Sequence, residues 1–283
     1  MRFFESEIGK LAPEKARFHV VPVPYEKTVS YGGGTKNGPG AIIKASSQLE
    51  RHDGLSDPGS EGIYTWPAVN CSGKPEKVID AIAAAVEKIL RLKKLPVVLG
   101  GEHTVTWGVI KGYLDAGIKD FGVVQIDAHA DLRDAYEGDK YSHASVMRRI
   151  VEAGVPLVQL GNRAFCEEER AARKKHGVIA FDALDLVPQN KSAIKLPRNF
   201  PKKVFFTVDV DGIDPSVLPA TGTPVPGGLT WYQTLGLFES VAKQRRMIGF
   251  DVMEFAPIKG FHAFDFAAAM LTYKLMGIVQ RCS

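Results

Sequence analysis

The sequence predicts an α/β protein built on a parallel sheet that helices cover on both faces. Apolar runs of strand length recur between residues 20 and 253 with helical stretches between them, the alternation from which parallel sheets are assembled. The runs at Phe121–Ile126 and 204–208 are apolar at nearly every position, as expected of strands buried on both sides. Both lead straight into charged clusters, Asp127-Ala-His129-Ala-Asp131 and Asp209-Val-Asp211-Gly-Ile-Asp214-Pro. Open α/β sheets hold their ligands beyond the carboxyl ends of the strands, so function is expected at these two termini.

Residues 18–23 give the first strand, followed by a turn-rich loop over 24–40. Its triple glycine lacks the Lys-[Ser/Thr] ending of a phosphate-binding P-loop. A helix is predicted from about Ala41, with Pro39 and Gly40 at its start and Ile42, Ile43, Ala45 and Leu49 as its apolar stripe. Val78, Ile79, Ile82, Val86, Ile89 and Leu90 recur at helical spacing and predict a helix over 75–92. Strand 96–99 ends in Gly100-Gly101-Glu102-His103, where paired glycines permit close backbone packing and deliver His103 at the strand terminus. A polar loop after Asp131 leads to His143 and a helix over 144–153, then strands at 157–160 and 178–181. Residues 215–228 are Pro- and Gly-rich yet apolar, and are expected to wall a pocket. A helix over 231–242, a strand over 247–255 carrying Asp251 and Glu254, and a closing helix over 264–279 complete the pattern.

With 45% hydrophobic residues in 283, the chain can bury a full core. No linker interrupts it, so one domain over 1–283 is expected. Its 36 basic residues are dispersed among 32 acidic ones for a net charge of +4, which argues against a nucleic-acid partner. Cys71, Cys166 and Cys282 are odd in number and lack metal-ligand spacing, so they read as free thiols. The amino terminus is charged too early for a secretory segment, and no apolar stretch approaches the roughly 20 residues of a membrane span. A cytoplasmic location away from membranes is expected.

In an extended chain, side chains two residues apart share a face, so Asp127, His129 and Asp131 should converge, as should Asp209 and Asp211. Gathering buried carboxylates is costly unless cations neutralise them. A set of nitrogen and oxygen donors without thiolate suits Mn²⁺ or another borderline to hard divalent ion. Asp127, Asp131, Asp209 and Asp211 match the charge of two such ions, and a two-metal site ionises water for attack on a poor electrophile. Glu254 is suited to paired hydrogen bonds with a planar cation, and His143 to proton transfer.

In this order, Gly-Gly-Glu-His103, Asp127-Ala-His-Ala-Asp131, Asp209-Val-Asp-Gly-Ile-Asp214-Pro and Asp251-Val-Met-Glu254 closely resemble the signatures of the ureohydrolase family, which includes arginase and agmatinase. Pro24-Tyr25, Gly38-Pro39, Ser142-His143 and Thr221-Gly-Thr-Pro224 are similar to it too. The resemblance implies a single ureohydrolase domain, an arginase-like three-layer αβα sandwich with a central, mostly parallel sheet. It also implies two Mn²⁺ per subunit and a homotrimer or homohexamer. One ion would be held by His103, Asp127, Asp131 and Asp209, the other by Asp127, His129, Asp209 and Asp211, with hydroxide between them attacking a guanidinium carbon to release an amine and urea. Glu254 resembles the family's guanidinium-positioning carboxylate and His143 its proton-transfer histidine.

Two departures bear on substrate. Arg133 stands where arginases carry an Asn that reads the amino-acid head, and Cys166 where they carry an acidic residue. The loops are more similar to those of agmatinases, so the expected reaction is conversion of agmatine to putrescine and urea, a step of polyamine biosynthesis. Arg133 would suit a carboxylate, which keeps a guanidinobutyrase, an arginase or another guanidino-acid hydrolase as the alternative, while Asp134, Glu137 or Asp139 would suit agmatine's ammonium. The rival of another class is a structural metal-binding protein without catalysis.

Overall fold

The computed structural model describes residues 1–283. Eight strands, β1 (Phe18–Val23), β2 (Ile63–Thr65), β3 (Leu95–Gly100), β4 (Phe121–Ile126), β5 (Leu157–Leu160), β6 (Ile179–Phe181), β7 (Lys203–Asp209) and β8 (Arg246–Met253), form one sheet in the order β2-β1-β3-β8-β7-β4-β5-β6. Every pairing is parallel. Nine helices accompany it: α1 (Glu5–Ile8), α2 (Gly38–Ala45), α3 (Pro75–Arg91), α4 (Thr104–Asp115), α5 (Val146–Glu152), α6 (Glu167–His176), α7 (Ala183–Leu186), α8 (Trp231–Ala242) and α9 (His262–Cys282).

The strand side chains alternate between two separate cores, which makes the architecture three-layered. Val20, Leu99, Val124 and Val208 pack into a cluster of 43 buried residues with Ile42 of α2, Phe238 of α8 and Leu271 of α9. Val21, Val98, Val123 and Phe205 pack into a second of 25 with Val86 of α3, Val109 of α4 and Ile150 of α5. Both faces of the central strands are therefore dry, and their residues are apolar without alternation for that reason.

The structure departs from the sequence reading at several elements. Helix α4 is absent from that reading because Gly108 and Gly112 break its apolar pattern. A Cβ on either would come within 2.8 Å of α3, so the two glycines let the helices touch. Helix α6 buries only Glu169 and Ala172 and thus shows no apolar stripe. Its signature is charge, with Glu167, Glu168 and Glu169 in the first turn and Arg173, Lys174, Lys175 and His176 in the last, each sign opposed to the helix dipole at its end. Helix α2 begins at Gly38 rather than Ala41, and α5 begins at Val146 after a 3-10 turn over His143–Ser145. Strand β8 stops at Met253, and Glu254 turns into the left-handed region at φ 61°.

Strands β3, β8, β7 and β4 are consecutive neighbours at the centre of the sheet. His103, Glu254, Asp211, and Asp127 with His129 and Asp131 follow their respective carboxyl ends, and Asp209 is the last residue of β7. Four adjacent strand termini thereby bring together residues that the sequence spreads over more than half its length.

Candidate metal centre

The residues after β4 converge by turns rather than by strand pleat, which corrects the alternation argument. The Asp127 carboxylate accepts the His129 backbone N–H at 2.6 Å, and Asp131 sits at φ 53°. After β7, the Asp209 carboxylate accepts the Asp211 N–H at 2.9 Å and starts a 3-10 turn over Val210–Gly212. The two loops are joined where Asp211 Oδ1 accepts the Ala128 N–H at 3.0 Å. A Cβ on Gly212 would lie 2.7 Å from the Asp127 backbone nitrogen, so this approach requires glycine.

Two donor groups result. His103 Nδ1 faces the carboxylates of Asp127 at 3.1 Å, Asp131 at 3.0 Å and Asp209 at 3.2 Å. It is fully buried and makes no well-formed hydrogen bond. His129 Nδ1 lies 2.9 Å from Asp211 and 3.7 Å from Asp127. His103, Asp127 and Asp209 converge within metal-binding reach of one another, as do Asp127, His129 and Asp211, so Asp127 belongs to both groups. An orphaned imidazole nitrogen facing three carboxylates, with no thiolate near, fits a divalent ion held by nitrogen and oxygen.

The electrostatics point the same way. Burial, with the charges of Asp131 and Asp211, pushes Asp127 up to about 8. Burial and the charges of Asp211 and Asp127 push Asp209 well above the usual carboxylate range. Burial opposes a charge on His103, yet Asp127, Asp131 and Asp209 raise it well above its ordinary value. His129 rises to about 10 against burial because Asp211 faces it, and Asp211, despite its own burial, is held at about 2 by His129. The protein alone neutralises the cluster with protons, in the place where cations would do so.

A layer of polar residues, of which sequence reasoning singled out only Asp251, holds the donors. His103 Nε2 lies 2.9 Å from Thr207 Oγ1, whose hydroxyl is 3.4 Å from that of Thr106, and Thr106 donates to the buried Asp251 at 2.9 Å. Gln125 donates to Asp127 at 2.6 Å, Gln159 to Gln125 at 2.6 Å, and Arg173 to Gln159 at 2.7 Å. Asn162 Nδ2 bonds the carbonyls of Asp127 and His129. Such outer partners fix ligand orientation and basicity. Polar residues inside otherwise apolar strands, Gln125, Gln159 and Thr207, were the available signal.

Glu254 and His143 open onto the same cavity as His129, Asp131, Asp209 and Asp211. Burial and the neighbouring Glu102 charge push the Glu254 carboxyl well above its ordinary range. A groove of about 360 Å³ leads outward past Ser30, Arg133, Tyr136, Phe165 and Thr223. Arg133 therefore lines the groove, with its guanidinium 5.7 Å from the centre of the Tyr136 ring. Asp134, Glu137 and Asp139 do not line it. Asp134 pairs outside with Arg149 at 3.2 Å, and Asp139 caps the Tyr141 N–H at 2.8 Å. Glu169 borders the groove with both oxygens engaged by the N–H groups of Leu132 and Cys166.

A larger cavity, of about 1190 Å³, lies at the opposite, amino-terminal end of the strands, beside Arg17, Leu95, Lys203 and Arg246. It is lined by lysines and arginines and contains no His, Asp or Glu. The carboxyl ends of α3, α8 and α9 gather there, and basic residues near helix ends of that polarity stabilise each by roughly 0.3–1 kcal/mol. It is a scaffold feature, and the chemistry belongs to the smaller cavity.

Fold and site together define an α/β protein with a histidine–carboxylate metal-binding centre at the carboxyl end of a parallel sheet. Residues 16–277 match the Arginase family. The chain is 40% identical to the N(1)-aminopropylagmatine ureohydrolase of Synechocystis sp., covering 98% of this chain and 93% of the relative. It is 31% identical to the agmatinase of Pyrococcus horikoshii over 99% of this chain and 98% of that one. The crystal structure of the agmatine ureohydrolase of Thermoplasma volcanium superimposes with a TM-score of 0.87 at 29% identity, covering 99% and 95% of the two chains. The chain belongs to the arginase family of ureohydrolases, hydrolases acting on guanidino C–N bonds.

Proposed function

We propose that the protein hydrolyses the guanidinium group of an agmatine-type amine, with N1-aminopropylagmatine as its substrate and urea and the triamine spermidine as products. The hydrolase reading rests on one observation above others: Asp127 is shared by two histidine–carboxylate groups that open, with Glu254 and His143, onto a single cavity. The aminopropyl substrate is favoured by the 40% identity to the Synechocystis enzyme, against 31% to the Pyrococcus agmatinase. Agmatine, giving putrescine, is the sequence-based reading. A guanidino acid is a second one, supported by Arg133, which lines the groove without a carboxylate partner.

In this proposal His103, Asp127, Asp131 and Asp209 hold one divalent ion, and Asp127, His129, Asp209 and Asp211 hold the other, manganese in both positions. Bound ions would lower the pKa of water towards neutrality and so supply a nucleophile strong enough for guanidinium. Glu254, aimed into the cavity by the His103 N–H that donates to its Oε1 at 2.6 Å, receives the substrate guanidinium in charge-assisted hydrogen bonds. His143 hands a proton to the departing nitrogen. One C–O bond forms and one C–N bond breaks. Both protons of the water end on the departing nitrogen, which leaves as ammonium carrying the guanidinium's positive charge, while urea keeps the four N–H protons it already had.

The test is urea release by the Mn²⁺-loaded protein from N1-aminopropylagmatine, agmatine, arginine and 4-guanidinobutyrate. The highest kcat/KM is expected for the aminopropyl compound. Preference for either acid would replace this reading with the guanidino-acid one, and no urea from any of the four would remove the hydrolase.

A further inference from the structure

Glu102 is fully buried yet is neither one of the metal-facing donors nor in contact with the groove. Its Oε2 accepts the backbone N–H groups of Lys27 at 2.5 Å and Thr28 at 2.6 Å. Its Oε1 accepts the hydroxyls of Thr104 and Thr28, both at 2.7 Å. Thr28 Oγ1 in turn lies 3.2 Å from His143 Nδ1 and accepts the His143 backbone N–H at 3.1 Å. A hydroxyl has one proton to donate and two lone pairs to accept with. Four donors, two backbone N–H groups and two hydroxyls, are directed at the two oxygens of Glu102, the arrangement of a group that accepts, so the Thr28 proton belongs to Glu102. Both lone pairs are then turned to His143, one to its N–H and one to Nδ1, and Nδ1 must bring the proton of that last bond.

We infer that Glu102 and Thr28 are positioning residues that fix the tautomer of His143: whenever the ring carries a single proton, it sits on Nδ1, leaving Nε2 bare. Nε2 lies 3.1 Å from Ser30 Oγ, whose hydroxyl is shared with Tyr136 Oη at 3.3 Å, and, like Ser30 and Tyr136, His143 lines the groove that leads to the donor groups. Nε2 is the nitrogen placed to take up a proton and return it. The inference rests on the proton-transfer role proposed for His143. The arrangement is parallel to that of the Nε2 side of His103, which reaches the buried Asp251 through the hydroxyls of Thr207 and Thr106. Holding one tautomer matters because a base presented in the other offers substrate an N–H instead of a lone pair.

The experiment is nitrogen NMR of protein labelled with ¹⁵N-histidine and loaded with diamagnetic Mg²⁺, the His143 ring assigned by comparison with His143→Asn. Wild type is expected to show Nδ1–H with bare Nε2. Thr28→Val, close in shape, is expected to lose that preference, and Thr28→Ser to retain it. In Mn²⁺-loaded protein, Thr28→Val should lower kcat about 10- to 100-fold, the range for outer partners of a catalytic group, with KM and metal content little changed, and Thr28→Ser should restore it. An Nε2–H tautomer in wild type overturns the inference without need of any variant, as does Thr28→Val with unchanged tautomer and kcat. If instead His143→Asn keeps full turnover while wild type is Nδ1–H, the proton-transfer role fails and the tautomer assignment stands.

Discussion

The backbone N–H of His103 donates to Glu254 Oε1 at 2.6 Å across 151 residues of sequence. The end of β3 and the residue after β8 are thereby locked together, and the carboxylate proposed for the guanidinium is held by the same residue whose ring faces the aspartates. Glu254→Gln should keep this bond, because an amide oxygen also accepts, while losing the charge. Charge-assisted hydrogen bonds contribute about 1.5–3 kcal/mol, so kcat/KM should fall roughly 10- to 100-fold with metal content unchanged. Loss of metal in parallel with activity would assign Glu254 to the metal site instead.

Asp127 is common to both donor groups as they stand and, with Asp209, to both proposed ligand sets. Asp127→Asn should therefore abolish tight binding at both metal positions, whereas His129→Ala, which removes a donor from one group, should leave about one ion per chain. Elemental analysis after dialysis decides this. Equal stoichiometry in the two variants would show that Asp127 does not bridge.

The charged residues of the site were legible because their types crowd into short stretches after apolar runs, and a buried crowd of carboxylates has few physical explanations. Their mode of convergence was not legible. Residues 127–131 leave the strand at once: the Asp127 turn closes on the His129 N–H, but the Ala128 N–H is docked on Asp211 and the carbonyl of left-handed Asp131 accepts from Met147 and Arg148 of α5, contacts made only by the fold. The two cores explain why most strands could be read from continuous apolar runs, while three-residue β2 offered too little pattern and α6 had no apolar face. Arg173, Gln159 and Gln125 come from three separate elements, and only the fold makes them a chain ending on Asp127.

Metal-free protein should lose stability as pH rises. Asp127, Asp209 and Glu254 have folded values raised above their ordinary ones, as do His103 and His129. The folded state thus holds protons that the unfolded chain has released, and stability falls with pH wherever that is so. For Asp127 the window runs from its ordinary value to about 8, and for His129 from its ordinary value to about 10. Asp211, held at about 2, has the opposite effect only in acid, and His19, lowered mainly by burial, only near and below the ordinary histidine range. Chelator-treated protein should accordingly melt lower at about pH 8.5 than at about pH 6.5, and the rise in Tm on adding Mn²⁺ should be larger at the higher pH because metal displaces those protons. A metal-free Tm that climbs across this interval would contradict the protonated cluster.

Gly100 and Gly101 should differ sharply on substitution. A Cβ on Gly101 would lie 1.9 Å from the Tyr25 carbonyl oxygen, a backbone atom fixed by its own bond from the Glu102 N–H. On Gly100 it would meet the Met253 sulfur at 1.9 Å, the end of a flexible side chain. Overpacking typically costs about 1–3 kcal/mol and more where nothing yields. Gly101→Ala should exceed that range and prevent soluble folding, while Gly100→Ala should fold with a lowered Tm. Circular dichroism melts compare them, and a well-folded Gly101→Ala would show that the loop after β1 gives way.

Arg163 is the keystone of the loops behind the second donor group. Its guanidinium donates to the carbonyls of Asp211 at 2.7 Å, Gly161 at 3.0 Å, Gly212 at 3.3 Å and Val225 at 2.7 Å. No carboxylate accepts from it, so its contribution is geometric, a planar fork spanning three chain segments. Lysine keeps the charge but presents one ammonium that cannot reach all four oxygens. With a net loss of about 1 kcal/mol for each unmade bond, Arg163→Lys should destabilise the protein by on the order of 2 kcal/mol and weaken metal binding on the His129 side, because Asp211 loses the anchor behind its backbone. Denaturant melts together with metal titration measure both. An unchanged metal affinity with lowered stability would confine Arg163 to the scaffold and leave Asp211 positioned by Asp209 and Ala128 alone.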